Sequence, residues 1–251
     1  MHLPVNKIPL FYWDVVNNVG DQMSPYLISR LMGQEVECVN SKFKGKIVAI
    51  GSLLCEDLLY SDSVIWGTGS LTRNCLRWRL FPLSRTIRKL TRRKRVRVCA
   101  VRGPRTYALL QKIGLSCPRV FGDPAIILPR IYKPVHCDVE KIGLILHCSQ
   151  EHLLEHKDLA SIGVRLISVN RKGDDQVEAF VNEVVSCSKV FSSSLHGLIV
   201  AQSYGVPAQW ITLKDQPIHR DYGHKFFDYF EGTRQISQSP KLPNFSAGIR
   251  H

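Results

Sequence analysis

Short apolar runs alternate with helical-period segments along this chain. The runs at 8–13, 47–52, 64–69 and 96–101 are rich in Ile, Val and aromatic residues and read as strands, with 120–124 closing a first set. Between the first two lies a polar turn, Asn17 to Asp21, and then a helix expected to start with Ser24 as cap and Pro25 at its first position and to end near Gly33. Another helix is expected from Arg105 to about Lys112. The stretch 128–134 carries a proline near each end and reads as a linker between domains. After it, runs at 142–147, 164–169, 188–191 and 208–211 form a second set, with helices at 174–187 and from Leu195 to Gly205. Strands separated by helical segments predict mostly parallel sheets, so the fold class is α/β with two domains, 1–130 and 135–251. The aromatic-rich stretch 222–230 is expected to pack back on the first domain.

The most informative point in this pattern is the turn Ser192-Ser193-Ser194 followed by Leu195-His196-Gly197-Leu198-Ile199, where a buried strand gives way to a helix. Open α/β sheets hold their ligands at such strand ends. With Ser194 as N-cap, the first-turn amides and the helix dipole favour a phosphate or carboxylate. The same positive end disfavours an imidazolium at His196, and a bound dianion reverses that bias. His196 then reads either as a general acid on an anionic substrate or as a buried polar residue satisfied by a neighbouring strand end.

Charge changes the picture in one place. The net charge is +13, yet Arg73 to Arg105 holds 13 basic residues and no acidic one, so this segment carries the whole excess. Leu76, Leu80, Leu83, Ile87 and Leu90 recur within it at spacings of four and three. A basic amphipathic stretch of this kind can dock on an anionic membrane surface or a phosphate-bearing lipid carrier. Nucleic acid is not expected, because no recognition motif accompanies the charge. The first residues lack the apolar core of a signal peptide and no apolar run is long enough to span a bilayer, so the expectation is a cytoplasmic protein, peripheral at the inner face of the plasma membrane where 73–105 docks. The eight cysteines show no Cys-x-x-Cys spacing and read as free, mostly core thiols.

Several chemistries are disfavoured. Gly67-Thr68-Gly69 does not continue into a dinucleotide fingerprint, and neither a P-loop nor a Gly-x-Ser-x-Gly elbow occurs. No cluster of His, Asp or Glu at ligand spacing demands a metal.

Seven pieces in order, Asn18-Val19-Gly20-Asp21 with Ser24-Pro25-Tyr26, Gly51-Ser52, Trp66-Gly67-Thr68-Gly69, Val101-Arg102-Gly103-Pro104, Gly122-Asp123-Pro124-Ala125, the strand ending at His147, and Ser192 to Ile199, resemble the polysaccharide pyruvyl transferase family over about residues 8–211. The resemblance implies two Rossmann-like domains in a glycosyltransferase-B-like arrangement with the active site in the interdomain cleft, the first domain on the acceptor side and the second on the donor side. It implies phosphoenolpyruvate as co-substrate, no cofactor, and a sugar of a cell-surface polysaccharide or lipid-linked oligosaccharide as acceptor, with a pyruvate ketal as product. His196 would be the general acid, Asp21 would take the acceptor proton, and Arg102 would complete the catalytic set. Ser193, Ser194, Leu195, Gly197, Arg105, Gly67 and Gly69 would hold the donor, and Asn18, Gly20 and His147 the acceptor. Some family members carry an arginine where this chain has Ser194, so Arg102 or Arg105 is expected to supply the missing cation. The alternatives are a glycosyltransferase of the same fold using a nucleotide-sugar donor and a non-enzymatic binder of anionic polymer.

Overall fold

The computed structural model describes residues 7–55, 57–59, 61–73, 96–134, 141–154, 159–213 and 223–234. Most of the basic stretch, 74–95, lies outside the described residues. The first apolar runs form a parallel sheet of β1 (Ile8–Phe11), β2 (Val36–Cys38), β3 (Lys46–Val48), β4 (Ser63–Trp66) and β5 (Val96–Ala100), in the order β2-β1-β3-β4-β5. Leu10 faces Ile47 across the β1–β3 pair, and Ile65 faces Val98 across β4–β5. The chain connects these strands through α1 (Val19–Met32) and continues beyond β5 into α2 (Pro104–Lys112). Two apolar clusters line the sheet. One gathers Ile65, Val101, Leu110 and Leu115, the other Leu10, Ile28 and Ala49, and full burial of each aliphatic side chain contributes about 1.5–3 kcal/mol relative to exposure.

The second sheet comprises β6 (Lys141–Ile145), β7 (Val164–Leu166), β8 (Cys187–Ser192) and β9 (Ala208–Trp210), in the order β7-β6-β8-β9 and again parallel throughout. Its helices are α3 (Leu128–Ile131), α4 (Asp174–Val185) and α5 (Leu195–Ser203). Strand order reverses between β1 and β3 in one sheet and between β6 and β8 in the other. Doubly wound sheets keep their ligand crevices at the carboxyl ends of the strands at such points.

Four expectations are revised. The helix after the first turn begins at Val19, not after Ser24, because Asn18 Oδ1 accepts the Gly20 amide at 2.9 Å and caps it there; Pro25 lies inside the helix. Residues 128–134 are no plain linker, since Leu128–Ile131 forms a helical turn with Pro129 near its start, where a missing N–H costs little. The 120–124 strand reduces to a single bridge between Val101 and Phe121. Of the six described cysteines only Cys117 and Cys187 are buried, and Cys38 is exposed.

Among the described residues, one compact unit is built from 7–14, 27–124 and 223–234 and the other from 15–26 and 125–213. The division is therefore not the two consecutive segments read from the sequence. The start of α1 belongs with the second sheet, and α6 (His224–Gly232), from the aromatic-rich tail, belongs with the first. Among the described residues no helix is long and apolar enough to cross a membrane.

Candidate active site

In the second unit, β8 delivers Ser192, Ser193 and Ser194 to the carboxyl edge of the sheet, all three buried. Their hydroxyls do local work. Ser192 Oγ accepts the Ser194 amide at 3.0 Å and donates to the Ser194 carbonyl at 2.8 Å, which shapes the turn. Ser193 Oγ accepts the His147 amide at 3.0 Å and donates to Gln150 Oε1 at 2.7 Å, tying the end of β6 to the end of β8. Ser194 occupies the N-cap position of α5 in extended conformation, but its side chain makes no capping bond. A helix leaves its first-turn amides without intrahelical partners, so this end offers donors and a positive dipole to an anion.

His196 stands in that first turn, with its Nε2 buried. The opening turn of α1 comes so close that a side chain on Gly20 would overlap the imidazole at Nδ1. Gly20 thus stands beside His196 at a helix start that Asn18 caps, with Asp21 next in the chain. His147 lies two residues beyond β6, with its Nδ1 2.9 Å from the Ser149 hydroxyl and 3.3 Å from the Ser149 amide.

The first unit holds a different arrangement. Arg102 is completely buried, and its guanidinium donates to Asp228 Oδ2 at 3.2 Å, to Ser52 Oγ at 2.7 Å and to the Ser70 carbonyl at 2.6 Å. Asp228 also accepts the amides of Arg105 and Thr106, both at 2.9 Å, and the Thr106 hydroxyl at 2.6 Å. A carboxylate has about four acceptor sites. All are used, and two of the bonds cap α2 from a residue on α6. His224 extends the network through Nε2 to Ser70 Oγ at 2.7 Å. Arg105 reaches Glu231 through Nε at 3.1 Å and Nη2 at 2.6 Å and lies over the Phe227 ring at 4.8 Å.

Several expected site residues make structural contacts. Arg102 and Arg105 are paired with the α6 carboxylates Asp228 and Glu231. Gly69 makes room for the Arg102 guanidinium and Gly67, at φ +87°, for Pro124. Gly197 lets α5 pack on β6 and β8, since a side chain there would meet Ser192 Oγ at 2.5 Å and Ile145 at 2.8 Å. Leu195 is a core residue, 3% exposed. The turn therefore brings together His196, Ser194, the α5 amides, His147 and the Asn18–Asp21 segment. Sequence reasoning named Ser52 within a motif but gave no place to Asp228, Glu231, Ser70, Thr106 and His224; the available signal was the pair of acids three apart on an aromatic helix. Among the described residues no group of three or more His, Cys, Asp or Glu is placed to hold a metal ion.

A family model described as polysaccharide pyruvyl transferase matches residues 40–215, which takes in β3 to β9 and the His196 helix. The segment Asn18 to Asp21 precedes the match. An uncharacterized protein of Acanthamoeba polyphaga mimivirus is 26% identical over 237 residues, covering 89% of this chain and 73% of the relative.

Proposed function

This chain belongs to the polysaccharide pyruvyl transferase family, and from that membership we infer that it moves the pyruvyl group of phosphoenolpyruvate onto two hydroxyls of one sugar in a polysaccharide or lipid-linked oligosaccharide. The observation that carries this reading is the placement of His196 in the first turn of α5, where the amides after Ser194 favour a phosphate and the imidazole sits beside it.

The chemistry follows from that placement. His196, as imidazolium, gives its proton to the terminal carbon of the enol phosphate, which makes the central carbon electrophilic. The first sugar hydroxyl adds there as Asp21 receives its proton. Phosphate leaves with the C–O bond electrons, and the second hydroxyl closes the ketal, its proton passing to phosphate. The products are one ketal and one inorganic phosphate, with no change in oxidation state. His147 offers its Nε2 to an acceptor hydroxyl. Arg102 has no contact with substrate in this scheme and acts by fixing the start of α2. The charge between Arg73 and Arg105 is assigned to an anionic membrane surface, which would bring the enzyme to a lipid-linked acceptor.

Calorimetric titration tests donor choice before the acceptor is known. Saturable binding of phosphoenolpyruvate is expected, weakened about tenfold in His196→Ala by loss of a charge-assisted contact. A uridine nucleotide sugar is expected not to bind. Binding of the nucleotide sugar alone would transfer the assignment to a glycosyltransferase.

A further inference from the structure

We propose that the dipeptide Gln150-Glu151 is a clamp that positions His196 from both sides, a role that rests on His196 as the proton donor above. Both residues lie on the short 3-10 turn Cys148–Leu153 that follows β6. Gln150, 3% exposed, takes the bond from Ser193 Oγ and so holds the turn from which α5 departs. Glu151 faces the other way. Its Oε1 accepts the Val169 amide at 2.5 Å and its Oε2 the Ser168 hydroxyl at 2.7 Å, which fixes the loop after β7. The carbonyl of Val169 then accepts the Val19 amide at 2.8 Å, the first helical residue of α1. Gly20, next in the chain, is the residue pressed against the His196 ring.

The connections close a ring inside one unit: His196, Gly20 and Val19, Val169, Glu151, Gln150, Ser193 and back to the serine turn. Two adjacent side chains thereby set the distance between the α1 start and the α5 start. Val19 and Val169 are at most 2% exposed, so their mutual bond is shielded from competing water. The Val169 amide needs an acceptor, because a backbone N–H can only donate, whereas the Ser168 hydroxyl can pair with either an acceptor or a donor. Freed from Glu151, the Val169 loop would let α1 drift from the imidazole, and displacement of about 1 Å at a reacting group costs on the order of a hundredfold in rate. Glu151 is a positioning residue: nothing requires it to touch substrate.

Glu151→Ala, Glu151→Gln and Ser168→Ala test the clamp, with amide hydrogen exchange and phosphoenolpyruvate-dependent transfer read on each full-length variant. In Glu151→Ala, exchange at Val19 and Val169 should rise at least tenfold while Val190 in β8 keeps its protection, and kcat should fall tenfold or more with KM for phosphoenolpyruvate within about threefold. Glu151→Gln retains one acceptor oxygen for the Val169 amide and should recover most of kcat. Ser168→Ala keeps that same bond and should resemble wild type. Unchanged exchange at Val19 in Glu151→Ala overturns the clamp, as does a kcat loss that Glu151→Gln fails to recover. Absence of phosphoenolpyruvate turnover in wild type would overturn the pyruvyl reading instead, leaving the exchange data to decide the clamp.

Discussion

A methyl group on Gly20 would overlap His196, and one on Gly69 would overlap the Arg102 guanidinium, so both glycines allow close approach of a side chain. At the residue scale the site is decided by what each polar atom already does. Ser193 is spent on Gln150 and the His147 amide; Ser194, one residue on, makes no side-chain cap. Cysteines show the same dependence on environment. Burial pushes the Cys117 thiol up to about 11, while Cys38 is exposed. At pH 8 on the order of one Cys117 in a thousand is thiolate, and that fraction is also sheltered. Alkylation at pH 8 followed by peptide mapping should therefore label Cys38 well before Cys117. Equal labelling would contradict the burial assigned to Cys117.

At the scale of elements, α6 organises the first unit. Its buried face, Phe226, Tyr229 and Phe230, supplies apolar area, and Asp228 supplies the acceptors for Arg102 and the first turn of α2. Removing one partner of a buried pair leaves the other charged and unsatisfied. Asp228→Ala should thus cost about 3–5 kcal/mol in urea unfolding, and the double variant Asp228→Ala with Arg102→Met should recover part of that loss. A double variant as unstable as the sum of both singles would mean that the two side chains do not interact.

The same helix marks the limit of sequence reading. Strands β1 and β3 to β9 were legible because parallel strands are near-continuous apolar runs. Strand β2 has only Val36, Glu37 and Cys38, too few to show a pattern. The α1 start was misplaced because Ser24-Pro25 is the stronger local signal, whereas Asn18 wins through a single side-chain bond to Gly20. Arg102 follows strand β5 as expected, although β5 is a half-buried edge strand, and its partner lies 126 residues away on an aromatic helix whose paired acids are a weak signal. The place of His196 in the first turn of a helix was legible because strand, serine turn and helix are consecutive in the chain.

At the scale of the whole molecule, two parallel sheets with the same reversal of strand order give two carboxyl edges on which loops gather. One edge has become a buried salt-bridged support closed by α6. The other carries His196 at a helix start suited to an anion. The division of the chain, with α1 beginning in one unit and ending in the other, makes the Asn18–Asp21 turn part of the second unit although it precedes most of the first. This explains why residues distant in sequence converge on one imidazole.

The most direct test is to incubate wild-type protein and His196→Gln with phosphoenolpyruvate and a panel of glycosides bearing neighbouring free hydroxyls, following phosphate release and acceptor mass together. Wild type should release one phosphate for each acceptor that gains a pyruvate less one water, and His196→Gln should be slower by at least about a hundredfold, the contribution of a lost general acid. Equal rates in the two proteins, or phosphate released without a mass gain on any glycoside, would contradict the assignment of His196 as the proton donor of a pyruvyl transfer.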